Sequence, residues 1–268
     1  MTLDMAVAAA ERTETARQLI GRAQADVVDL VTVSALELCV LGGPRHRLFE
    51  ESVCSAWRKL GNRRREKVMD WVTEGMVERG LLIDDSPRAG FQPRSSTYSL
   101  RPELGIMLAA RCRPAFVVVT ETAVQDLRTP RFFALSDQSE PVRGIVAELP
   151  AALPPDMSGD FPQVRKLGPL GMFYRYVLMS RERAAAVLAE LTISPPRRSG
   201  QALPSAYSVR AYHPDRKNPV GYSLSVRGDG TKARLEAPGA GDGQQAAAEY
   251  DVEGLRAVML DLLTQPSR

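Results

Sequence analysis

The chain has 268 residues, of which 44% are hydrophobic and 25% are charged, and its formal net charge is +3. This composition is typical of a globular protein with ample material for a core, and so small a charge does not by itself indicate a nucleic-acid partner. No apolar run approaches the roughly 18 residues that cross a bilayer. Acidic and basic residues interrupt the alanine-rich N-terminus, unlike the apolar run of a signal peptide. We therefore expect a cytoplasmic protein without membrane contacts.

Helical patterns dominate the first 80 residues. Residues 5–25 are rich in alanine, the strongest helix former, and predict a helix. Shorter helices are expected at 34–41 and 49–60, each followed by glycine. The clearest helical pattern covers 65–79, where apolar residues recur at spacings of three and four, and Gly80 is positioned as its C-terminal cap.

A predicted strand pair follows this helix. Residues 81–84 and 97–100 have strand character, and the segment 85–96 between them is a loop rich in Pro, Gly, Ser and Arg. Pro at position 102 occupies the favoured first turn of a helix that extends to about residue 111. Helices followed by a strand pair are typical of a winged-helix domain, so the N-terminal helical region resembles a winged helix.

β-Branched and aromatic runs bounded by turn residues prevail after residue 115 and predict most of the sheet. These runs are 116–121, 131–136, 143–149, 172–179, 207–212, 220–226 and 232–236. Irregular or linker segments are expected at 153–169, 195–200 and 238–245. Ser180 and Asp251 are positioned to cap two helices, one over 181–191 and one that ends the chain.

The sequence thus predicts an α+β protein with a central, mostly antiparallel sheet flanked by helices. Strands followed by a helix occur twice, which predicts a pseudo-two-fold repeat. We expect an N-terminal helical extension over 1–30 and a single α+β domain over 31–268. The alternative division places a winged-helix-like domain at 31–114 and an α+β sensing or dimerisation domain at 115–268.

The sequence patterns of the common catalytic and cofactor sites are missing from the chain. His46 and His213 lie in a predicted loop and turn without metal-ligand spacing. Cys39, Cys54 and Cys112 form no Cys-x-x-Cys pair and are expected to be buried, reduced thiols. We therefore predict no enzyme activity, no catalytic residue, no cofactor and no metal site.

A DNA-binding transcriptional regulator is one interpretation of the winged-helix order. The helix at 65–79 would then enter the major groove, and basic residues beside it would contact phosphates. The predicted phosphate contacts are Arg63, Arg64, Arg65, Arg88 and Arg94. Carboxylates repel phosphates, however, and this helix has an acidic ridge with a spacing of four residues. The ridge is formed by Glu66, Asp70, Glu74 and Glu78.

The order of segments resembles the EspG-like chaperones of actinobacterial type VII (ESX) secretion over nearly the whole chain. The matching features are a short apolar helix at 35–41 and a helix over 64–81 that ends in Arg-Gly-Leu. A short helix at 102–114 then leads into a strand at 116–121. The segment 250–255 supplies the polar cap that precedes a Leu-rich last helix.

This resemblance implies a cytosolic, non-enzymatic binding protein that acts as a chaperone or adaptor. The implied partners are helical secreted substrates of the PE/PPE-like or WXG-like kind. The expected physics is burial of an apolar helix tip, with polar contacts from loops that a rigid sheet presents.

Overall fold

The computed structural model describes ten segments of the chain and shows an α+β fold, which confirms the predicted fold class. The described residues are 3–42, 50–84, 98–122, 129–137, 140–152, 168–193, 207–212, 223–228, 232–236 and 248–264. Several predictions fall outside these residues: the loop at 85–96, the turn at 195–200, the loop at 238–245 and most of the irregular segment 153–169.

The described segments contain helices and strands close to the predicted positions. The helices are α1 (Leu3–Arg22), α2 (Ala35–Gly42), α3 (Glu51–Lys59), α4 (Asn62–Glu78), α5 (Pro102–Cys112), α6 (Arg181–Ile193) and α7 (Val252–Thr264), with a short 3-10 helix at Gly168–Gly171. The strands are β1 (Val28–Ser34), β2 (Leu82–Asp84), β3 (Tyr98–Leu100), β4 (Val117–Thr122), β5 (Arg131–Asp137), β6 (Glu140–Ala151), β7 (Phe173–Met179), β8 (Tyr207–Tyr212), β9 (Ser223–Gly228), β10 (Ala233–Glu236) and β11 (Ala248–Tyr250). No described helix combines the length and the apolar character needed to cross a membrane.

The chain forms two compact units. The first comprises residues 1–19, 30–112 and 150–176, and the second comprises 20–29, 113–149 and 177–268. The winged-helix and pseudo-repeat predictions, and the predicted domain boundaries, stay predictions.

The first unit contains the short buried helix α2, whose start follows from its sequence. Ser34 and Glu37 form a capping box: the Glu37 amide donates to Ser34 Oγ at 3.1 Å, and the Ser34 amide donates to Glu37 Oε2 at 2.6 Å. Strand β1 precedes this box directly and lies beside β7 in the strand order. Leu36 and Leu38 of α2 are almost completely buried, so this helix is part of the unit's core.

The second unit is built on an antiparallel sheet. Its strand order is β7–β6–β5–β4–β8–β9–β10–β11, and each recorded pairing from β6 to β11 is antiparallel. In register, Phe132 lies opposite both Val118 and Ala147. This arrangement brings apolar residues of neighbouring strands to the same face, because side chains alternate between faces along each strand.

Helices α6 and α7 pack on that face and bury its core. The sheet contributes Phe116, Val118, Phe132, Ala134, Ile145, Ala147, Val177, Met179 and Val209, and the helices contribute Ala184, Ala185, Leu188, Ala189, Ile193, Leu255, Met259, Leu262 and Leu263. The predicted caps are confirmed: the Arg183 amide donates to Ser180 Oγ at 3.2 Å, and the Gly254 amide donates to Asp251 Oδ1 at 2.8 Å.

Two strands were not expected from the sequence. β1 lies where the sequence predicts a helical extension followed by a helix, and β11 is a three-residue strand paired with β10.

The prediction of three buried thiols is wrong in part. Cys39 is buried, but Cys54 is half-buried and Cys112 is exposed at the end of α5. Cys112 is the last helical residue, where the amphipathic pattern no longer determines which way the side chain faces.

Candidate binding surface

Helix α4 is held at its start by the preceding helix α3. The guanidinium of Arg65 lies 5.3 Å from the centre of the Trp57 ring, and its Nη2 donates to the carbonyl oxygens of Leu60 at 2.9 Å and Trp57 at 3.2 Å. These carbonyls belong to the last turn of α3 and its cap, where few helical amides remain to donate to them. Arg65, a residue of α4, thus caps the C-terminal end of α3 with its side chain.

The end of α4 is a Schellman motif that turns the chain into β2. The Gly80 amide donates to the Val77 carbonyl at 2.9 Å, and the Leu81 amide donates to the Met76 carbonyl at 2.9 Å. Gly80 has a φ of +64°, a conformation that costs L-residues with a side chain roughly 1–2 kcal/mol. The predicted glycine cap is therefore confirmed, and it determines where the β2–β3 hairpin leaves the helix.

A partly buried ion pair fixes this end of α4 to α2 and β1. Arg79 follows the last residue of α4, and its Nη1 is paired with Glu37, the residue that completes the capping box of α2. Its Nη2 donates to the Thr32 carbonyl of β1 at 2.8 Å. Because Arg79 directly precedes Gly80, this network also positions the hairpin that follows.

The hairpin itself exposes apolar side chains. Leu82 pairs with Leu100, Ile83 with Ser99, and Asp84 with Tyr98. Leu82 is buried at the base, whereas Ile83, Tyr98 and Leu100 remain 43%, 40% and 36% exposed. A two-stranded ribbon of three-residue strands cannot cover both of its own faces, which explains why these side chains meet solvent.

Most of the exposed large apolar side chains belong to α4 and the hairpin. Among the described residues, five large hydrophobic side chains are exposed: Met69, Ile83, Tyr98, Leu100 and Val252. Four of them belong to α4 or the hairpin, and the fifth, on α7, is isolated in sequence from the rest. Scattered single hydrophobic residues are normal at a surface, but a group of them marks an interaction site. Tyr98 and Leu100 lie on one face of the ribbon and Ile83 lies on the other, because directly paired residues share a face and successive residues alternate. We call these three exposed side chains, on the two faces of the ribbon, the hairpin surface.

The arginines predicted to contact phosphates and the acidic ridge of α4 differ in their exposure to solvent. Arg63 and Arg64 are exposed, whereas Arg65 is half-buried against α3. Arg88 and Arg94 lie outside the described residues, as do His46 and His213. All four members of the predicted acidic ridge are exposed on the outer face of α4: Glu66, Asp70, Glu74 and Glu78.

The groups with chemical reactivity are few in the described part of the chain. Burial raises the pKa of the Cys39 thiol to about 12, with a further increase from Cys54 and a smaller opposing effect from Arg111. A thiol with so high a pKa is protonated at neutral pH and is a poor nucleophile. No group of three or more His, Cys, Asp or Glu side chains that could hold a metal ion occurs among the described residues.

Sequence reasoning missed the hairpin surface, although a signal was present. The strand pair was predicted at the right place, and its shortness alone implies that apolar residues such as Ile83 and Tyr98 cannot all be buried. The contacts of Arg79 had no comparable signal, since Glu37 lies 42 residues away in the chain.

The chain matches no protein-family model, no curated protein and no solved structure.

Proposed function

We propose that the protein is a cytosolic, non-enzymatic binding protein that acts as a chaperone or adaptor for helical substrates of type VII secretion. The observation that carries the binding function is the hairpin surface. Its three apolar side chains are exposed to solvent on a short two-stranded ribbon. Their burial by a partner would be favourable by roughly 25 cal/mol for each Å² of apolar area covered.

The rigidity of the supporting structure strengthens this proposal. The hairpin emerges from a helix end that is fixed by the Glu37–Arg79 ion pair and by the Schellman bonds of Gly80 and Leu81. A ribbon fixed at its base presents its side chains in a defined arrangement, which lowers the entropy lost on binding.

The class of partner comes from the resemblance of the segment order to EspG-like chaperones. Partners of that kind are PE/PPE-like or WXG-like helical proteins, which expose apolar helix tips before secretion. An apolar helix tip complements the hairpin surface, since both lose water-exposed apolar area when they meet.

Co-expression with the small helical proteins encoded near its gene tests the proposal. We expect a stable complex on gel filtration with the wild-type chain. The triple variant Ile83→Ser, Tyr98→Ser, Leu100→Ser should bind at least roughly tenfold more weakly, because a few buried apolar anchors carry most of the energy of an interface. Val252→Ser is the matched control, since Val252 is similarly exposed at 38% but lies on α7.

The outcomes are distinct. A triple variant that binds as well as the wild type would show that the hairpin surface is not the site. No complex with any neighbouring helical protein would remove the type VII assignment. Equal loss in the Val252→Ser control would indicate a general effect of the substitutions.

DNA binding is the second candidate function, favoured by the order α3, α4 and hairpin and by the exposed Arg63 and Arg64. Two observations weigh against it. The outer face of α4, which would enter the groove, bears the four exposed carboxylates of the acidic ridge, and Arg65 already binds the end of α3. Duplex binding that weakens with salt and with Arg64→Ala would favour this function over the first.

A further inference from the structure

The outer face of α4 has a charge pattern that the proposed function does not use. Arg63, Lys67, Asp70 and Glu74 follow one another at spacings of four, three and four residues. Residues with these spacings form one straight stripe along a helix. All four are exposed, and none of their side chains forms an ion pair or hydrogen bond with another described residue. We call these four residues the charged stripe.

Within a single molecule this arrangement is unfavourable. Arg63 and Lys67 are like charges four residues apart, as are Asp70 and Glu74, and such pairs destabilise a helix. The stripe contains one opposite pair, Lys67 and Asp70 at a spacing of three, so its two like-charge pairs outnumber it. The basic residues lie in the N-terminal half and the acidic residues in the C-terminal half. This order opposes the helix dipole, which favours acids at the start and bases at the end. The helix also has no acidic residue in its first turn and no basic residue in its last.

The stripe is complementary to itself when reversed. An antiparallel copy of α4 brings Arg63 opposite Glu74 and Lys67 opposite Asp70, and two-fold symmetry repeats both pairs. Four ion pairs then replace the like-charge neighbours, and each helix dipole lies against the opposite end of the other. We propose that the charged stripe is the contact through which two copies of this chain associate as an antiparallel, two-fold symmetric pair.

The expected association is weak. The stripe extends from Arg63 to Glu74, roughly 16 Å of helix, and ion pairs that are exposed to solvent stabilise a contact only weakly. Its small area belongs to the class of transient contacts below about 1,200 Å². Charge complementarity therefore determines which partner and orientation are accepted, and salt should weaken the contact strongly. This inference does not depend on the hairpin surface or on a secretion partner.

Sedimentation velocity of the full chain, in reducing buffer and over a concentration series, tests the pairing. At low salt the average mass should rise with concentration, and it should return to that of the monomer at about 0.5 M salt, where the Debye length is only a few Å. The variant Arg63→Glu, Lys67→Glu has an entirely acidic stripe. The variant Asp70→Lys, Glu74→Arg has an entirely basic one. Each should stay monomeric alone, and an equimolar mixture of the two should form a heterodimer.

Two further measurements keep the test decisive. Carbodiimide cross-linking of a mixture of ¹⁴N and ¹⁵N wild-type protein should join Lys67 of one copy to Asp70 of the other, without any substitution that could affect folding. The double variant Glu182→Lys, Asp261→Lys places an equal change of charge at exposed positions of α6 and α7, and it should dimerise like the wild type.

A wild type that is monomeric at every concentration in low salt would overturn the proposal. Homodimers of either stripe variant, or a mixture that does not associate, would do the same.

Discussion

At the scale of single residues, buried polar groups explain much of the first unit. Glu37 serves two partners at once, since its carboxylate accepts from the Ser34 amide and pairs with Arg79. A buried carboxylate is tolerated only when it is paired and hydrogen-bonded. The side chains of Arg79 and Glu37 are 19% and 6% exposed, whereas those of Arg58 and Glu51 in the ion pair of α3 are 64% and 81% exposed. The two pairs should therefore differ sharply in their contribution to stability.

Replacing Arg79 with methionine should lower the free energy of unfolding by about 2–4 kcal/mol, because the Glu37 carboxylate loses its cation while it stays buried. Arg58→Met removes the same side chain from the solvent-screened pair and should cost less than about 0.5 kcal/mol. Urea unfolding followed by circular dichroism measures both. Similar costs for the two variants would show that the Glu37–Arg79 pair is no better shielded from solvent than the pair of α3.

At the scale of elements, α4 contains two glycines with opposite roles. Gly75 lies inside the helix, and a Cβ added there would meet no atom within 4 Å. Gly80 lies just beyond the helix at a φ of +64°, where it donates the first bond of the Schellman motif. The glycine inside the helix costs conformational entropy, while the glycine at the end is required by the backbone conformation.

Alanine substitution should therefore change stability in opposite directions at the two positions. Gly75→Ala should raise the free energy of unfolding by about 0.5–1 kcal/mol, since alanine has the higher helix propensity and fits the space. Gly80→Ala should lower it by about 1–2 kcal/mol, since alanine is strained at positive φ. Thermal unfolding of the two variants beside the wild type measures the difference. Destabilisation by Gly75→Ala would mean that this part of α4 needs the flexibility of glycine.

At the scale of the whole molecule, each compact unit combines segments that are far apart in the sequence. The first unit combines 30–112 with 150–176. Strand β1 lies beside β7, which is more than 130 residues further along the chain. A fragment of residues 30–113 therefore keeps α2 to α5 and the hairpin, but it loses α1 and the strand that lies beside β1.

A fragment of residues 30–113 should consequently show no cooperative thermal transition. Its strand β1 would have unpaired hydrogen-bonding groups, and its apolar side chains would lack part of the surface that covers them. Calorimetry of the fragment beside the full chain provides the measurement. A sharp transition in the isolated fragment would instead support an independently folding winged-helix domain.

The sequence by itself determined the features that depend on neighbouring residues. The caps at Ser180 and Asp251, the glycine end of α4 and most strands follow from local patterns, because capping and periodicity involve residues a few positions apart. Only the tertiary structure decided the rest. Strand β11 has three residues and owes its existence to pairing with β10, while Arg79 finds Glu37 across 42 residues. The exposure of the hairpin side chains was likewise decided in three dimensions, since burial depends on which elements pack together and not on the residue alone.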